Sequence, residues 1–278
     1  MATTEEVEIE TRAPAKVNVC LLVAGRRADG YHDVATVLAP CALADSLEIR
    51  VKSGRGVRVS CDGTGVPEGE RNLAGQAASA LLAAAQIKAA VQIHIAKKIP
   101  VGTGLGGGSS DAAATLKTLN EHFGRPLGED GLWRLARRLG SDVPFFLKNG
   151  WALATGRGEL VTRLRGPAAV RLVVAAPRRS VPTARVYGAL TPDEYAPEAT
   201  ALWEVIARLE RPLEAPACRA FPFLSELKSA LADLGFDGAR LSGSGGAFVT
   251  PAEDEEKAKG AVAELASRGY WATITATE

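Results

Sequence analysis

Residues 100–114 read PVGTGLGGGSSDAAA, with five glycines in seven positions (Gly102, Gly104, Gly106, Gly107 and Gly108) opening into a run with helical character. Few folds tolerate such a segment unless it has a task. Without side chains, the backbone amides can close around anionic oxygens, and the positive end of the following helix dipole points at the same place. Ser109 or Ser110 is expected to cap that helix and to offer a hydroxyl to a phosphate or a magnesium ion. The segment therefore predicts a nucleotide cradle.

Two familiar phosphate loops fit only in part. Gly102, Gly104 and Gly107 satisfy GxGxxG, but a dinucleotide fingerprint belongs in the first turn of a βαβ unit, whereas about a hundred residues with strand and helix signals precede this one. Gly102 and Gly107 have Walker spacing, yet Gly108 stands where a P-loop needs lysine. Phosphate charge must then be met by amides, the helix dipole, a metal ion and a lysine from elsewhere.

At 278 residues, 46% of them hydrophobic, the chain has ample core for one large domain or two modest ones. A formal net charge of +1 gives no reason to expect nucleic acid or a membrane surface as partner. The four cysteines show no CxxC pair or metal spacing, which predicts reduced thiols in a cytoplasmic protein and no dedicated metal ligands. The acidic start lacks the apolar segment of a secretion signal.

Strand signals occur at 15–23, 46–52, 57–61 and 91–96, and again at WALAT, RLVVAA, AFVT and WATIT. Helical spacing occurs at 72–85, 109–122, 129–139, 183–190, 199–209, 224–234 and 254–268. Strands and helices mix without strict alternation, so the expected class is α+β in two lobes, with a boundary in the glycine-rich stretch 156–168.

Period two along the first strand puts Lys16 and Asn18 on one face. Pro14 keeps open the alternative of an edge strand with its lysine in water. In LGSDVPFF, Ser141 is expected to cap a short helix whose first turn holds Asp142. An ionised carboxylate there can orient a hydroxyl and take its proton, and an ordinary first-turn aspartate is the competing reading. Asp29-Gly30-Tyr31-His32 is a turn signal carrying a ring and an imidazole, a combination suited to a flat heterocycle. A second glycine loop, LSGSGGAFV at 241–249, suits close packing against the first.

With Pro14-Ala-Lys-Val-Asn18, PVGTGLGGGSSDAA, LGSDVPFF and LSGSGGAFV in this order, the chain resembles the GHMP small-molecule kinases. RRADGYHDV and VPTARVY resemble the branch of that family acting on a cytidine-diphosphate-linked methylerythritol. The resemblance implies a two-lobed fold divided near 157/158 with the site in the cleft, ATP as co-substrate, and Mg2+ accompanying it. It implies Asp142 as catalytic base, Lys16 as its charged partner, and a phosphate loop comprising Pro100, Gly102, Gly104, Leu105, Gly106, Gly107, Gly108, Ser109 and Ser110. Asn18, Tyr31, His32, Thr183 and Tyr187 match acceptor-site positions, with Gly243 to Gly245 in support. The family's usual Asn-Asp-Leu-Glu stretch is replaced here by Arg211-Pro-Leu-Glu214.

Overall fold

The computed structural model describes residues 6–63, 69–148, 150–196 and 212–278, in which helices and largely antiparallel strands give an α+β protein. The helix expected at 199–209 lies outside the described residues, as does Arg211. The chain folds into two compact units, each drawn from separated stretches: 1–15, 44–99 and 106–149 in one, 16–43, 100–105 and 150–278 in the other. No helix among the described residues is long and apolar enough to cross a membrane.

Two long strands, β1 (Val7–Arg26) and β2 (His32–Lys52), supply residues to both units. In the first unit, the end of β2 pairs antiparallel with β4 (Ala90–Ala96), and β3 (Gly56–Asp62) pairs parallel with β4. Val91, Ile93 and Ile95 alternate with Gln92 and His94, so period two buries one face of β4 and wets the other. Helix α1 (Leu73–Ala84) starts from Asn72, whose side chain accepts from the Ala74 amide, and packs on β3 and β4. Helices α2 (Gly107–His122), α3 (Glu129–Leu139) and α4 (Val143–Leu147) complete this unit, with α4 packed against α2.

In the second unit, β7 (Arg171–Ala176), β8 (Arg240–Leu241), β9 (Phe248–Pro251) and β10 (Trp271–Ala276) form an antiparallel sheet in the order β10-β7-β9-β8. Helices α6 (Glu214–Ala220), α7 (Phe223–Asp233) and α8 (Glu255–Ser267) share one apolar core with it, built on Val173, Phe248, Leu224, Leu227 and Leu265. The start of β2 pairs with β5 (Ala152–Gly156), which pairs with β6 (Leu160–Arg163). The short α5 (Thr183–Tyr187) follows β7.

Candidate active site

The glycine segment connects β4 to α2, and its carbonyls are tied down by three other stretches of chain. Val181, Ala247 and Lys16 donate their amides to the carbonyls of Gly102, Thr103 and Leu105 at 3.3, 3.1 and 2.9 Å. The second glycine loop, between β8 and β9, meets the first directly. A Cβ on Gly104, whose φ is +78°, would stand 2.7 Å from the Gly245 nitrogen, and a Cβ on Gly245 would collide with the Gly104 backbone. Glycine is therefore required on both sides of this contact.

The expectation of a serine cap is corrected here. Helix α2 begins two residues earlier, at Gly107, from an N-cap at Gly106 with φ +79° and no side-chain cap. Ser109 and Ser110 consequently lie in the first turn. The Ser110 hydroxyl is buried without a hydrogen-bond partner, as is Oδ1 of the neighbouring Asp111.

Asp111 belongs to a buried cluster that reading the sequence missed. Lys97 Nζ donates to Asp45 Oδ2 at 2.5 Å and to Asp111 Oδ2 at 2.8 Å, while Asp45 Oδ1 accepts from the amides of Lys98 and Ile99. These bonds fasten β2 and the residues that follow β4 to the N-terminal part of α2. Burial pushes Asp111 up to about 7 against the pull of Lys97, and the Asp45 carboxylate adds to the push. Burial disfavours the Lys97 charge, but the two carboxylates outweigh it and hold its pKa above the ordinary value.

Lys16 is only 4% exposed, which excludes the solvated edge-strand reading. Its ammonium donates to Asn18 Oδ1 at 2.8 Å, so the two side chains do share one face of β1. Asn18 Nδ2 donates in turn to Thr36 Oγ1 at 2.8 Å, and the Asn18 amide donates to Ser242 Oγ at 3.0 Å. Thus strand β1, strand β2 and the second glycine loop hold a buried ammonium in one place. Thr183 opens α5, where the Ser244 hydroxyl of the same loop donates to its Oγ1 at 3.0 Å.

Asp142 is half-buried and occupies the N-cap position of α4 itself, with Pro144 in the first turn; Ser141 does not cap the helix as expected. Phe145 and Phe146 are buried and anchor the turn, and an added Cβ on Gly140 would lie 3.9 Å from Ser109 Oγ. The backbone leading into Asp142 therefore runs beside the first turn of α2.

The Asp29-Gly30 turn delivers Tyr31 and His32 to the start of β2. Asp29 Oδ1 accepts from the Tyr31 amide at 3.1 Å, and Gly30 has φ +85°. Tyr31 is exposed, with the Arg157 guanidinium 4.8 Å from its ring centre. His32 packs against Tyr187 with ring centres 4.8 Å apart and stacks on Tyr195 at 6.0 Å. Burial, then the nearby Arg26 charge, holds the His32 pKa below its ordinary value. Arg157 and Tyr195 went unnoticed in the sequence, although the Gly-Arg-Gly turn at 156–158 marks the first.

Residues 72–150 match the family described as GHMP kinases N terminal domain, and residues 191–270 match GHMP kinases C terminal. The chain is 41% identical to the 4-diphosphocytidyl-2-C-methyl-D-erythritol kinase of Citrifermentans bemidjiense, over 97% of this chain and 99% of the relative. It is 44% identical to that of Thermus thermophilus, over 95% of each. A crystal structure of 4-(cytidine 5'-diphospho)-2C-methyl-D-erythritol kinase superposes with a TM-score of 0.81 at 41% identity, covering 97% of this chain and all of the other.

Proposed function

The chain belongs to the GHMP kinase family, and on that premise we propose that it transfers the γ-phosphoryl group of ATP to 4-diphosphocytidyl-2-C-methyl-D-erythritol, giving the 2-phosphate and ADP for isoprenoid precursor synthesis. The observation that carries this choice of acceptor is the group of rings in the second unit. Tyr31 offers an exposed face backed by a guanidinium, and His32 packs against Tyr187 and Tyr195. Mevalonate and homoserine have no flat base to use such a surface, whereas a cytidine diphosphate has both a base and an anionic tail.

Phosphoryl transfer asks a protein mainly to position reactants and to meet charge. The glycine segment from Pro100 to Ser110 grips the triphosphate with amides and the dipole of α2. Lys16, fixed by Asn18, supplies positive charge for the transferring phosphoryl group. The Asp142 carboxylate orients the acceptor hydroxyl and receives its proton. Asn18 and Thr183 line the acceptor side, with the base read by Tyr31, His32 and Tyr187.

Magnesium accompanying ATP would be held chiefly by phosphate oxygens, and the buried Ser110 hydroxyl, which has no hydrogen-bond partner, is the group in the first turn of α2 that could add a protein ligand. The ion would neutralise phosphate charge there. All four cysteines stay outside disulfides, which suits a reducing cytosol.

An ADP-release assay offering the cytidylylated methylerythritol beside mevalonate and homoserine tests the reading. Turnover confined to the first supports it, and turnover of either of the others in its place refutes it.

A further inference from the structure

We propose that Tyr195 is a positioning residue for the acceptor: its phenol donates to Nε2 of His32, so that the imidazole carries its own proton on Nδ1 and reads a flat base with a fixed donor. The inference rests on the acceptor reading of His32 given above and names a partner that lies 163 positions away in sequence. Tyr195 Oη and His32 Nε2 are 3.2 Å apart, with the two ring planes within 15° of parallel.

The direction of the bond follows from chemistry. His32 is held neutral by burial and by Arg26, and a neutral imidazole has one N–H and one lone-pair nitrogen. A phenol, whose oxygen lone pairs are partly delocalised into the ring, is a better donor than acceptor. Nε2 accepts and Nδ1 keeps the proton, a choice that a free histidine does not make for itself. A pyrimidine with adjacent carbonyl and ring-nitrogen acceptors is the kind of edge that a fixed N–H can recognise.

Tyr195 can hold this role because its segment is itself pinned. The Glu194 side chain accepts from the Thr191 amide at 2.8 Å and from the Thr191 hydroxyl at 2.9 Å. Arg219 on α6 closes a two-pronged pair with Glu194 at 2.8 and 2.7 Å and also donates to the Ala189 carbonyl at 2.7 Å. That pairing holds Glu194 down at about 2, so the anchor stays charged throughout the neutral range. On the other side of Tyr195, the Ala196 amide donates to the Val23 carbonyl of β1 at 2.8 Å. The ring is clamped before and after.

Tyr195→Phe keeps the ring and removes only the hydroxyl. The expected result is a rise of about tenfold in the acceptor KM, the scale of one lost hydrogen bond, with kcat and the KM for ATP unchanged. Nitrogen-15 spectra, with the His32 signals identified by their loss in His32→Gln, are expected to show an Nδ1–H imidazole in the wild type and a tautomer mixture in Tyr195→Phe. An unaltered spectrum overturns the proposal, as does an altered spectrum with unchanged acceptor KM. Should the wild type turn over none of the acceptors offered, the kinase reading fails separately. The spectrum and the affinity for cytidine 5'-diphosphate then decide the role of Tyr195.

Discussion

Lys16 illustrates how much a single side chain can be asked to do. Its ammonium is only 4% exposed, and Asn18, itself held by Thr36, is one of the partners that fix it. In the proposed reaction, a charge kept in place in this way would need no rearrangement as phosphate charge develops. Asp142, at the N-cap position of α4, has a different task in that proposed reaction, to accept the proton of the incoming hydroxyl. Asp142→Asn is expected to leave ATP affinity nearly intact and to lower kcat by roughly 100-fold or more, the scale of lost general-base help, measured by steady-state ADP release. Near-normal turnover would remove Asp142 from the reaction. At the acceptor, Tyr31→Ala is expected to weaken binding by about 1 to 3 kcal/mol, the scale of one stacked base. Titration calorimetry with the acceptor measures it, and an unchanged affinity in a folded variant would exclude stacking.

At the scale of elements, the two glycine loops act as one part. Gly245→Ala puts a methyl into the Gly104 backbone, where nothing can yield cheaply because both partners are main chain. An overpacking cost of about 1 to 3 kcal/mol should lower the melting temperature by roughly 2 to 6 °C and raise the KM for ATP, read by differential scanning fluorimetry and kinetics. An unmoved melting temperature would mean that the loops separate readily. The packing of these loops was legible because glycine runs state their own steric reason, and the alternation in β4 announced its buried face. The start of β2 was not legible: residues 36–41 are buried without alternation, so no period marks them as strand. The cap of α2 was misjudged because a glycine at positive φ ended the loop before either serine was reached. Contacts such as Lys97 with Asp45, or His32 with Tyr195, join residues far apart in sequence, and no local pattern encodes them.

For the whole molecule, the buried cluster of one ammonium and two carboxylates ties folding to pH. Asp111 titrates near 7 when folded, and a carboxyl of this type in an unfolded chain titrates near 4. The folded state thus holds a proton that the unfolded state has lost. The stability this contributes is complete below about pH 4 and disappears as pH rises through about 7. Asp111→Asn removes the ionisable group while keeping an acceptor for Lys97. Its melting temperature should match the wild type under acid conditions and exceed it on the alkaline side, as measured by thermal melts across the range. Parallel curves would show that Asp111 ionises freely.

Because β1 and β2 each pass through both compact units, neither unit exists as an unbroken piece of gene. Severing the chain after residue 149 would strand residues 34–38 from their partners at 152–156, so each fragment would be sticky alone and the pair a natural candidate for split-protein complementation. The same threading separates the ring group, Tyr31 and His32 arriving before that cut and Tyr187 and Tyr195 after it. On the proposed function, exchanging one terminal module would therefore replace only part of the acceptor surface.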